Sequence, residues 1–229
     1  MGEKKKKEAQ TARWKQVIVV GACVLFVVLM IASGMGSSWL TMFSSAKPGD
    51  TVVIDYTIYN ANGTPIVTTD KTVYQKAVAR GVYPLVAKQM SVIANQSLTK
   101  ALDPIDVYTV NGQTSQFALF GSEYNAISSQ LVGMKTNQQK TVALPSTSAM
   151  SQPWSAEQLS LNKVNIDNVS VGDVFTMGVS DNPADLATNQ SAVSYLRLAE
   201  VSRKSSAGIV VDFGYPTADI RVVSINNKA

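Results

Sequence analysis

The chain has 229 residues, enough for one or two domains with a real core, and carries 20 Lys plus Arg against 16 Asp plus Glu. Residues 1–16 hold six of those basic side chains and two of the acidic ones, which leaves the remainder balanced at 14 of each and argues against a basic surface for nucleic acid. Histidine is absent and the single cysteine, Cys23, lies inside an apolar run, so an intramolecular disulfide, a Ser-His-Asp triad and a His- or Cys-ligated zinc site are all excluded.

After the basic tail at 1–16, no residue is charged between Gln16 and Ala46, and the stretch VIVVGACVLFVVLMIA at 17–32 is almost wholly aliphatic. Residues 17–39 supply the roughly 20 apolar positions that a transmembrane helix needs, with Trp14 and Trp39 placed as interfacial anchors. Lys4, Lys5, Lys6, Lys7, Arg13 and Lys15 precede the span and only Lys47 closely follows it. The positive-inside rule then puts the N-terminus in the cytoplasm and the rest of the chain outside, in a single-pass cell-membrane protein. A cleaved secretory signal is the competing reading, since Ala32, Ser33 and Gly34 are small. A lipoprotein-like site at Cys23 is disfavoured, because that cysteine begins the apolar region where it should end it. The sequons at Asn62, Asn95, Asn168 and Asn189 would be open to glycosylation on the outer side.

A linker at 40–48 leads to TVVIDYTIY at 51–59, whose alternation predicts a strand, closed by a turn at 60–63. Residues 70–90 predict a helix that ends near Gly81 and then a loop. A short strand is expected at 116–120, an amphipathic helix at 124–132, and a strand at 139–144 stopped by Pro145. Residues 146–165 turn rich in Ser, Gln and Asn. Further strands are expected after the turn at 171–173, around 195–201 and 207–213, and at 219–225, where DIRVVSI holds four β-branched residues in seven. Strands scattered about one main helix predict an α+β fold with an antiparallel sheet. The carboxylates Asp103, Asp106 and Glu123 show no pairing pattern and read as solvated surface.

Three segments together resemble the FKBP-type peptidyl-prolyl isomerases, specifically the long archaeal form with an insert-in-flap domain. They are GDTVVIDYTIYNANGTPIVTTD at 49–70, FALFG with ISSQLVGMKTNQQKTVALP at 117–121 and 127–145, and IVVDFGYPTADIRVVSI at 209–225. The resemblance implies an FKBP-like antiparallel sheet packed on a helix, formed by residues 49–145 plus 208–229. It also implies a small inserted β-rich domain at 146–207 that grips unfolded chains, the whole preceded by the transmembrane helix.

Prolyl isomerisation needs no metal, cofactor or nucleophile, only a dry apolar cradle that favours the twisted amide over the planar one. The resemblance places the substrate pocket at Tyr56, Ile66, Val67, Phe117, Tyr124, Ile127 and Met150. Tyr56 and Phe117 match the family's pocket aromatics, although both residue types are also ordinary core. Ile66 and Val67 stand where the family has Phe-Asp, Ile127 replaces its aromatic floor, and Met150 replaces a tyrosine. Those four departures imply weak or lost catalysis. The expectation is therefore a membrane-anchored extracytoplasmic chaperone for unfolded, assembling or proline-containing polypeptides, with no cofactor and no nucleic-acid partner. An active isomerase is one alternative. An accessory or structural subunit of a membrane complex is the other, consistent with the small residues Gly21, Ala22, Ser33, Gly34 and Gly36 in the apolar segment.

Overall fold

The computed structural model describes residues 20–22, 24–27, 29–30, 45–109, 111–146, 150–180 and 194–226. The chain divides into two compact units, Met1–Ser44 and Ser45–Ala229. In the first unit the described residues are helical, and Val20, Val24, Leu25, Phe26, Val27, Leu29 and Met30 are each more than half exposed. No helix among the described residues is long and apolar enough to cross a membrane. Most of the span expected at 17–39, with Cys23 and both flanking tryptophans, lies outside those residues.

The second unit begins with strand β1 (Thr51–Tyr59), where the two-residue period is realised as read. Val52, Ile54, Tyr56 and Ile58 are buried, while Val53, Asp55 and Tyr59 face the other side. The turn that follows is closed by the Asn60 side chain, whose Oδ1 accepts from the Asn62 and Thr64 amides at 3.1 and 2.7 Å. It leads into β2 (Pro65–Thr68). Asp70 then caps helix α1 (Lys71–Val78), accepting from the Thr72 and Val73 amides at 2.6 and 3.2 Å. Gly81, at φ +79°, and Pro84 end helical continuation. The expected loop beyond them holds β3 (Leu85–Ala87) and β4 (Met90–Ile93).

Next come β5 (Leu102–Tyr108), β6 (Thr114–Phe120), helix α2 (Gly121–Gln130) and β7 (Gln139–Ala143). The remainder is β8 (Ser151–Ser155), helix α3 (Ala156–Leu161), β9 (Val174–Val179), β10 (Tyr195–Ser205), β11 (Gly208–Asp212) and β12 (Thr217–Asn226).

The expected architecture is overturned at this point. An α+β fold with an FKBP-like antiparallel sheet packed on a helix, an inserted β-rich domain and a leading transmembrane helix is not what the described residues form. They form mostly one large mixed sheet of twelve strands, in the order β7-β12-β1-β2-β3-β5-β6-β10-β11-β8, with β4 added to β1 and β9 to β10. Two pairings are parallel: β2 with β3, and β6 with β10 through the single pair Phe117 and Leu196. The expectation failed because β3, β4, β5 and β8 carry weak strand signals. β5 holds Pro104 and two aspartates and β8 holds Pro153, yet the ladders beside them complete their pairing.

β12 lies between β7 and β1, pairing with β1 from Thr51–Asn226 to Tyr59–Thr217 across a bulge at Val53/Ile54. The other edge of β1 is shared, residues 51–54 with β4 and 57–59 with β2. The larger core joins the inner faces of β1, β2, β6 and β12 with Tyr124, Ile127 and Leu131 of the α2 region. A second, smaller core lies between β10, β11 and α3, around Leu159, Val169, Ala199, Val201, Ile209 and Val211.

Candidate functional site

Six of the seven expected pocket residues, Tyr56, Ile66, Val67, Phe117, Tyr124 and Ile127, fall in the larger core. Val67, Phe117 and Ile127 have no exposed surface at all. Tyr124 is tied down structurally, its hydroxyl accepting from the Ile93 amide of β4 at 3.2 Å. Tyr56 is buried with its hydroxyl unpartnered, and burial pushes that phenol well above its ordinary pKa. Met150 belongs to neither core and packs on Gly214, where an added Cβ would lie 2.8 Å from the Met150 sulfur.

The space beside Phe117 is filled. β10 alternates, and its inward face presents Arg197, Ala199 and Val201, so an arginine is carried into the interior in phase with two apolar residues. Its partner comes from α2. That helix starts at Gly121, whose amide donates to the Ala101 carbonyl at 2.8 Å. A Cβ there would stand 2.2 Å from the Lys100 carbonyl oxygen, so only glycine permits the approach. One turn in, the Glu123 carboxylate reaches back to accept from the Phe120 amide at 2.9 Å.

Glu123 also receives both ends of the Arg197 guanidinium, Nη2 to Oε1 at 2.6 Å and Nη1 to Oε2 at 2.9 Å, and neither side chain has exposed surface. Nη1 further donates to the Ala118 carbonyl at 2.6 Å and Nε to the Phe213 carbonyl at 2.9 Å. Three rings surround the cation, with its central carbon 4.0 Å from the Tyr215 centroid, 4.3 Å from Phe120 and 5.2 Å from Phe117. Phe117 and Tyr215 stack on each other, and the Tyr215 hydroxyl donates to the Leu198 carbonyl at 2.8 Å. Burial raises the Tyr215 phenol to about 12, against the opposing pull of Arg197.

This arrangement departs from the expectation twice. Glu123, read as solvated surface, is fully buried, and Arg197 was not singled out at all. The signal for Arg197 was available in YLRLAEV, where it alternates in phase with Ala199 and Val201 on the core side. Chemically, the site has little left to offer a substrate. Both carboxylate oxygens are engaged and the guanidinium's donors go to Glu123 and two carbonyls.

Two surface clefts differ in character. One, of about 330 Å³, lies over the outer face of β1 and β12 and is crossed by the Arg221–Asp55 ion pair at 2.6 Å and the Thr141–Asp219 hydrogen bond at 2.5 Å. The other, of about 200 Å³, lies between the β1–β2 turn and β10, where Ile66, Val171, Val174 and Leu198 line it beside the polar Asn60, Asn62, Glu200 and Asp212. Val171 and Val174 are 62% and 50% exposed at its mouth. The turn is held to β10 there by the Glu200 carboxylate, which accepts from the Asn60 side-chain amide at 2.5 Å and also from that of Asn62. Among the described residues no group of three or more His, Cys, Asp or Glu side chains is placed to hold a metal ion.

No model of a known protein family matches the chain, and no curated protein matches it in sequence.

Proposed function

We propose that the protein binds unfolded or assembling polypeptides through the apolar cleft at Ile66, Val171, Val174 and Leu198, and has little or no prolyl isomerase activity. The observation that carries this reading is the exposure of Val171 and Val174 at the mouth of that cleft, where contact with an apolar segment would remove both from water. The loss of isomerase activity is supported by the filled space beside Phe117. A substrate proline cannot enter while Arg197 and Glu123 hold it, and the flanking Ile66, Val67 and Ile127 are packed in the core.

Membrane attachment through residues 17–39, with the folded unit outside the cell, belongs to the same proposal. It rests on the uncharged stretch from Gln16 to Ala46 and the basic residues before it. The test pairs two assays on the full chain. The protein should suppress aggregation of a denatured client at near-stoichiometric amounts while accelerating X-Pro isomerisation only feebly. Val171→Ser with Val174→Ser should lose most of the suppression while unfolding at the parent temperature. Undiminished suppression by a folded double variant would sink the cleft as the binding surface.

A further inference from the structure

We propose that the pocket bounded by Phe117, Phe120, Tyr215 and Glu123 is a guanidinium-binding site which the chain occupies with its own Arg197. With that side chain withdrawn, the site takes a free guanidinium-bearing ligand. This goes beyond the polypeptide-binding reading and does not depend on it.

The walls and the occupant are separate pieces. Phe117, Ala118 and Phe120 come from β6, Glu123 from α2, and Phe213 and Tyr215 from the segment between β11 and β12, whereas Arg197 enters from β10. The walls hold each other without it. Glu123 is bonded to the Phe120 amide, and Phe117 stacks on Tyr215 at 6.0 Å between centroids and 17° between planes. A buried ion pair needs only the carboxylate, so the remaining geometry is informative. Two carbonyl oxygens, of Ala118 and Phe213, accept from the guanidinium's Nη1 and Nε, and ring faces cover the cation. A planar fork of donors matches that set, and a compact ammonium does not. Removing the arginine side chain leaves a void of guanidinium shape with a buried carboxylate and no counter-charge, a strong demand for a replacement of the same chemistry.

The test uses the full chain with Arg197→Ala, and methylguanidinium chloride at millimolar, non-denaturing concentration as the probe. Sodium chloride, urea and methylammonium chloride serve as controls. The variant's thermal midpoint should fall by roughly 10 °C, and methylguanidinium should restore at least half of that fall while the controls do not. The wild type should be indifferent to all four. Arg197→Met, which refills the void with apolar volume, should also be indifferent. If Arg197→Ala does not fold alone, cooperative unfolding after refolding with methylguanidinium supports the proposal just as well. It is overturned if the folded variant ignores the probe, if methylammonium or Arg197→Met responds equally, or if Arg197→Ala fails to fold with the probe present.

Discussion

Tyr215 couples the buried cation to the strand that delivers it, and its titration gives a direct handle on that coupling. Its folded pKa, about 12, lies above the unfolded value near 10, so on raising the pH the unfolded chain ionises first. Stability contributed by the neutral phenol is therefore complete below pH 10 and declines between pH 10 and 12, at about 1.4 kcal/mol per pH unit. Tyr56, raised by burial too, steepens the same decline. Tyr215→Phe should cost about 1 kcal/mol at neutral pH through loss of the hydrogen bond to Leu198, and should flatten the alkaline limb in urea titrations. An unchanged limb would refute the assignment. Ile127 stands where the resembled family has an aromatic pocket floor. The position has no exposed surface, so Ile127→Trp should destabilise by about 1–3 kcal/mol through overpacking, read as a lower urea midpoint. The site was half legible at this scale. Phe117 and Tyr56 stand out by residue type, but the surroundings of Phe117 depend on Arg197, a residue whose charge argues for surface until its alternation with Ala199 and Val201 is weighed against it.

Among the elements, β12 has the most to lose from deletion, because it lies between β7 and β1 and buries Ala218, Ile220, Val222 and Ile225. Removing residues 219–229 takes away hydrogen bonds on both of its edges together with an apolar face. The truncated chain should show no cooperative unfolding transition by circular dichroism. A fragment melting near the parent temperature would show that the strand is dispensable. The start of α2 is a second sensitive point. Gly121→Ala sets a methyl group against the Lys100 carbonyl and should displace the helix that carries Glu123, costing at least about 1 kcal/mol in denaturant titration. β1, α1, α2, β7 and β12 were legible because each has a strong period or an identifiable stop, such as the Asp70 cap or Pro145 after β7. β3, β4, β5 and β8 were not. Three or four residues cannot display a period, and the prolines in β5 and β8 argue against strands whose stability comes from their neighbours.

For the whole molecule, orientation is the quantity to measure. Ser205 is exposed at the end of β10, and the sole native cysteine is Cys23, so Ser205→Cys adds a single reporter to the folded unit. It should react with an impermeant thiol reagent on intact cells, with the wild-type chain as background. Labelling only after lysis would refute the proposed topology.

The sheet's two ends carry a further consequence, because an open strand edge is a template on which other chains can pair. β7 and β8 terminate the strand order, and each is blunted. β7 exposes Gln139, Lys140 and Thr141, and β8 is interrupted at its centre by Pro153, which has no amide hydrogen to donate. Edge growth into fibrils is thereby discouraged at both margins. Pro153→Val should leave the thermal midpoint near that of the parent yet shorten the lag before thioflavin-positive aggregates form on prolonged agitation.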